Sequence, residues 1–233
     1  MSYGSIVHKG LDWTRCKNLE NAIPRLKKLL SEKANVHNSF PLFSPKVNKA
    51  VWQTVPIKNK RKAAVLVPLV SYQGEPSLLF TTRSKNVSHS SDVSFPGGHF
   101  EESVDASLEA TAIRETQEEL LGNYPWDEIE IIGKTTPLPS KIGTSVTPVI
   151  GILPYEIGPH SFPGCEHEVQ DVFSVSLQEL INTEGEEHLD RFNSKIPVFT
   201  TREGKRIWGL TAVITKPILH KLLKPVFFEK EFK

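Results

Sequence analysis

Arg114-Glu115-Thr116-Gln117-Glu118-Glu119 sets three carboxylates within five positions of the chain. At about 100° per helical residue, Glu118 and Glu119 fall on the same side as Glu115. Like charges at this spacing repel on an ordinary helix face, so the cluster calls for a compensating cation. Hard divalent ions such as Mg²⁺ or Mn²⁺ take carboxylate oxygens. Ahead of the cluster, Phe95-Pro96-Gly97-Gly98 reads as a turn whose glycines let the backbone approach a ligand closely. A glutamate-rich helix by itself more often marks a solvated face. The glycine turn and Arg114 tip the reading toward a metal-dependent phosphate enzyme.

Outward from this stretch the pattern alternates strand and helix. Residues 63–70 form a continuous apolar run, read as a buried strand, and a second strand is expected over 78–82 after Gln73-Gly74-Glu75-Pro76. The acidic helix is expected over 103–121, with Val104, Leu108, Ala112 and Ile113 facing the core. Strands are expected near 129–132, 146–153 and 169–175, and Ser176-Leu177-Gln178-Glu179 has capping-box form. Two short strands near 197–201 and 206–208 precede a helix from Leu210 that Pro217 should kink. Upstream, Asn21 reads as the cap of a helix carrying Ile23, Leu26, Leu29 and Leu30, with Pro24 in its first turn. Residues 40–45 read as an extended connector. The expectation is one mixed α/β domain over 61–225, with a helical extension over 1–60.

The 233 residues carry a formal net charge of +1, which argues against a general nucleic-acid binder. A hydrophobic content of 38% with 24% charged residues is that of a globular chain. Cys16 and Cys165 lack metal-ligand or redox-motif spacing and read as reduced thiols. No apolar run reaches membrane-spanning length, and the first twenty residues lack a signal-peptide core. Cytoplasm is the default expectation, with mitochondrion and peroxisome as alternatives.

Gly98, Arg114, Glu115, Glu118, Glu119 and Gly122 resemble a Nudix box, the glycine-loop-helix signature of hydrolases that cleave diphosphates linked to another group. The family pattern is G-x5-E-x7-R-E-U-x-E-E-x-G-U, with U aliphatic. Here Arg114 lies 16 positions after Gly98 where the pattern has 14, and Val104 occupies the first glutamate position, leaving Asp105 or Glu102 to stand in. Thr116 takes the aliphatic position, and two leucines instead of one residue separate Glu119 from Gly122. The resemblance implies a Nudix-like α/β/α sandwich with a mixed sheet.

Further segments resemble the coenzyme A diphosphatase branch of that family: Ala63-Ala64-Val65-Leu66-Val67-Pro68, Leu78 to Ser84, His89, Val146-Thr147-Pro148-Val149, Glu168-Val169 and Trp208-Gly209-Leu210-Thr211-Ala212. Val87 and Ser91 stand where the branch commonly has a basic residue and a glycine. What this implies is a small-molecule partner of the coenzyme A class, cleaved to 3′,5′-ADP and 4′-phosphopantetheine or its acylated form. Glu115, Glu118 and Glu119 are expected to hold Mg²⁺ or Mn²⁺, with a carbonyl of Gly97 or Gly98 completing the shell. The proton from the attacking water goes to Glu115 or to Glu168. Arg114 is expected to pair with an acidic residue and orient the loop, and Arg83 to bind a phosphate with its planar fork. Two alternatives stand beside this: another Nudix substrate, such as an oxidised nucleoside triphosphate or a dinucleotide, and an inactive fold that only binds nucleotide or protein.

Overall fold

The structure, a computed structural model, describes residues 15–35, 37–53, 61–84, 92–122, 124–158, 161–189 and 194–229. His89, Val87 and Ser91 lie outside the described residues.

Helix α1 (Lys17–Lys33) buries Leu19, Ala22, Leu26 and Leu30, a single stripe at helical spacing. It begins four residues before Asn21, because Leu19 already belongs to that stripe. Pro24 therefore sits inside the helix, where it offers no N–H to the preceding turn. The expected connector contains a strand, β1 (Ser39–Phe40), and is followed by α2 (Pro45–Gln53), a helix that buries no residue.

Strands β2 (Lys62–Tyr72) and β3 (Glu75–Arg83) form a hairpin with Leu69 opposite Leu78. Next come β4 (Val93–Ser94) and β5 (Gly97–His99), which wedge into the sheet: β4 pairs with the end of β3, and β5 pairs with the start of β2. Gly97 has φ of +149°, and a Cβ there would lie 2.3 Å from the Ala64 carbonyl oxygen. Only glycine allows this approach.

The acidic helix is α3 (Leu108–Leu120), five residues shorter at its start than expected. Ser107 caps it, its side chain accepting from the Ala110 N–H. The preceding residues form turns held by Asp105, so Val104 is 60% exposed instead of facing the core. After α3 come β6 (Glu130–Thr135), β7 (Leu138–Pro139), β8 (Ser145–Ile157) and β9 (Val169–Ser176).

Among the described residues these strands make one sheet in the order β1-β6-β8-β2-β3-β4, with β5 on β2, β7 on β8 and β9 on β3. The β2–β8 pairing is parallel and most others are antiparallel, so the sheet is mixed. One face, including Ala64, Leu66, Leu79 and Val149, packs on Ala112 and Leu120 of α3. The other, including Val67, Leu69, Phe80 and Ile150, packs on α1 and the C-terminal helices. The result is the expected α/β/α sandwich.

Helix α4 (Leu177–Thr183) starts where the capping signal placed it, with the Ser176 hydroxyl accepting from the Glu179 N–H at 3.1 Å. A second sheet of β10 (Glu184–Leu189), β11 (Ser194–Thr200) and β12 (Arg206–Ile207) follows. Strand β10 was not expected, since its acidic sequence lacks apolar alternation. Helix α5 (Gly209–Ile218) contains Pro217 and passes through a π turn (Leu219–Leu223) into α6 (Lys224–Phe227). The missing proline N–H explains why the ladder loosens there. Strand β9 is an edge of the large sheet; Lys205, in the β11–β12 turn, reaches over it to Asp171 and sits 4.5 Å from the Phe173 ring centroid.

Candidate active site

Glu119, in the last turn of α3, is only 7% exposed, and its carboxylate accepts the Gly97 N–H of β5 at 3.3 Å. Burial pushes this carboxyl up to about 8. The Gly97 donor and the charge of Arg83 oppose that shift, while Glu168 and Glu115 add to it. One turn earlier, Glu115 lies flat against Gly98: a Cβ on that glycine would sit 2.3 Å from the Glu115 Cδ. Its carboxyl is also raised, by burial first; Arg114 opposes, and Glu118 and Glu168 contribute repulsion.

Arg114 is the hub of the loop. Its Nε and Nη2 bond the two oxygens of Asp105 at 2.8 and 2.9 Å, a bidentate pair. The same guanidinium donates to the His99 carbonyl at 3.2 Å and lies 3.1 Å from Glu115 and 3.2 Å from Glu118. Asp105 also accepts from the Glu101 N–H and the Thr111 hydroxyl. The Arg114 guanidinium, first of all, holds the Asp105 carboxyl well below the usual carboxylate range. Asp105, and not Glu102, is thus the carboxylate of this loop that Arg114 pairs with.

Arg83 ends β3, and its buried Nε has no hydrogen-bond partner among the described residues. Beside it, the Ser84 N–H donates to the Glu168 carbonyl at 2.8 Å. Glu168 is exposed in the turn before β9. Arg83 and Glu168 both act electrostatically on Glu119, in opposite senses.

Glu115, Glu118 and Glu119 are the residues expected to share one ion. Glu118 is exposed and paired with Arg114; both it and Glu168 add repulsion at Glu115, Glu118 the larger of the two. Among the described residues no three His, Cys, Asp or Glu side chains are close enough to hold an ion as they stand. The donor chemistry nevertheless fits a hard cation: carboxylates that raise one another's proton affinity, next to glycine carbonyls. Sequence reasoning did not anticipate the loop before Glu168. The Gly164 N–H donates to the Leu120 carbonyl at 2.9 Å and the Cys165 N–H to the Glu119 carbonyl at 2.7 Å. A lone glycine in a polar stretch is too common a signal to find such a loop.

Residues 60–195 match the profile of the NUDIX domain. A protein of Photorhabdus laumondii named "Uncharacterized Nudix hydrolase NudL" is 38% identical over 172 residues, covering 72% of this chain and 86% of the relative. Its namesake in Citrobacter koseri is 38% identical over 183 residues, covering 77% and 88%. Among solved structures, a MutT/nudix family protein from Enterococcus faecalis is similar with 17% identity and a TM-score of 0.46, covering 87% of this chain and 73% of that one. A domain match over more than half of the chain, with relatives aligned along most of their own length, means that this chain belongs to the Nudix hydrolase family.

Proposed function

We propose that the protein hydrolyses a diphosphate of the coenzyme A class, giving 3′,5′-ADP and 4′-phosphopantetheine or its acylated form, with Mg²⁺ or Mn²⁺ bound. The observation that carries the reading is the placement of Glu115 and Glu119 on the Gly97–Gly98 strand, with the Glu168 turn bonded through Ser84 to the end of β3, where Arg83 stands. The narrower substrate class is supported by the ordered segments from about residue 62 to 215, and residues 61–225 are the catalytic domain in this reading.

Glu115, Glu118 and Glu119, with a carbonyl of Gly97 or Gly98, are the residues that would hold the cation. Such an ion neutralises diphosphate charge and lowers the pKa of a coordinated water. The protein's own part is positioning and proton transfer. Arg114, locked to Asp105, fixes the loop that carries the glycines and does not touch substrate. Arg83 offers a planar fork to a phosphate oxygen. Of the two candidate bases, Glu115 is pinned between Gly98 and Arg114. Glu168 is exposed, open to an attacking water, and is given the base role in this reading. Water oxygen bonds to one phosphorus, the bridging P–O bond breaks, and the water proton goes to Glu168. Such base catalysis is typically worth about 10²–10⁴-fold.

The test is product identification by mass spectrometry on a panel of coenzyme A, acyl-coenzyme A, dinucleotides and oxidised nucleoside triphosphates, with and without added Mg²⁺ or Mn²⁺. Release of 3′,5′-ADP only with metal is the expected result. Turnover of another compound reassigns the substrate, and no turnover of any compound sinks the proposal.

A further inference from the structure

The extra leucine before Gly122 and the loop before Glu168 fit together. Helix α3 ends at Leu120, and Leu121 takes φ of +54°. That turn leaves the Glu119 and Leu120 carbonyls without helical partners, and the loop supplies them. The Gly164 N–H bonds Leu120 and the Cys165 N–H bonds Glu119, at 2.9 and 2.7 Å. The Cys165 carbonyl then accepts from the Glu168 N–H at 2.9 Å, and the Glu168 carbonyl accepts from Ser84 at 2.8 Å. Main-chain bonds thus run without a gap from Glu119 to Glu168 and on to the end of β3.

The loop is fixed at both ends of this run. Phe162 is buried among Tyr124 and Trp126, with ring centroids 5.9 Å from each. Gly164 has φ of +76°, and a Cβ there would lie 3.3 Å from Val169 Cγ1 and 3.4 Å from Val172 Cγ2. Any other residue at 164 is strained by its φ and presses on the start of β9.

We infer that Gly164 and the Cys165 N–H are positioning elements that set the place of Glu168 relative to Glu119, acting on the reaction chiefly through Glu168. The inference rests on the assignment of Glu168 as base in the proposed function. It does not depend on which diphosphate is cleaved. Moving a reacting group by about 1 Å costs roughly 10²-fold in rate, so a small shift of this bracket has a large effect.

The experiment is a double-mutant cycle of Gly164→Ala and Glu168→Gln, read as kcat and KM on whichever diphosphate the wild type turns over best. Gly164→Ala alone is expected to lower kcat by about 10–100-fold with KM little changed. Glu168→Gln is expected to lower it at least about 100-fold. In the double variant the glycine change should add less than about 3-fold, since the group it positions is gone. Gly204→Ala, at φ of +80° with open space around it, serves as a strain control and should keep full kcat. If Gly164→Ala does not fold, Phe162→Leu replaces it in the same cycle. Multiplicative losses in the double variant, or full kcat in Gly164→Ala, overturn the inference. Near-normal kcat in Glu168→Gln instead removes the base assignment, and the inference with it.

Discussion

Asp105 and Arg114 meet with the Asp105 side chain only 2% exposed and that of Arg114 20% exposed. A pair this buried leaves an uncompensated charge when one partner is removed, so Asp105→Ala should cost about 3 kcal/mol, measurable by urea denaturation. The pH dependence follows from the depressed Asp105 value. Its contribution is complete above about pH 4 and is lost as the pH falls from there toward the depressed folded value. Acid unfolding of Asp105→Asn should therefore lack part of the wild-type slope below pH 4. For catalysis, Glu115→Gln and Glu119→Gln should each lower turnover at least about 100-fold while circular dichroism shows the fold intact; near-normal turnover in either removes its assigned role. The Arg-Glu-x-x-Glu-Glu run was legible because helical spacing alone groups its charges. The pairing of Arg114 with Asp105 and not Glu102, and the approach of the Glu168 turn to the end of β3, depended on turns that no periodicity encodes.

At the level of elements, the site hangs on how α3 starts and stops. Its start was misplaced by five residues because Val104 and Leu108 share helical spacing, whereas the chain uses 101–107 to bring Asp105 under Arg114. Its stop is strained: Leu121 holds φ of +54° and ψ of −171°, a region that side chains avoid, and is 42% exposed. Such strain costs on the order of 1–3 kcal/mol. Leu121→Gly loses little burial and should stabilise the protein by about 1 kcal/mol after glycine's own entropy cost, read from the shift in denaturation midpoint at unchanged slope. An equal or lower midpoint would show that the leucine is held by contacts worth more than the strain. The buried strands β2, β3 and β8 were legible from continuous apolar runs. Strand β10 was not, because it is held by its neighbours and not by its own composition.

Over the whole molecule, the N-terminal helix is part of the core. Leu19 and Leu26 are fully buried in the same cluster as Val67, Leu69 and Phe80 of the sheet. Leu26→Ala should cost about 2–5 kcal/mol, and in calorimetry it should lower a single transition. A separate first transition would instead support an independent extension over 1–60. The sheet order was beyond the sequence, since the parallel pairing of β2 with β8 joins residues some eighty positions apart and local pattern is silent about such distances. No helix among the described residues is long and apolar enough to cross a membrane.

Lys205 has a consequence for colloidal behaviour. Among the described residues strand β9 pairs on one side only, leaving a backbone rim of the kind on which a second molecule can add a strand. An ammonium laid across Phe173 and tied to Asp171 puts a hydrated charge over that rim. Lys205→Leu removes the guard without changing Glu115, Glu119 or the groups they bond. Concentrated solutions of that variant should scatter light and form larger species in sedimentation runs, while dilute samples keep wild-type turnover.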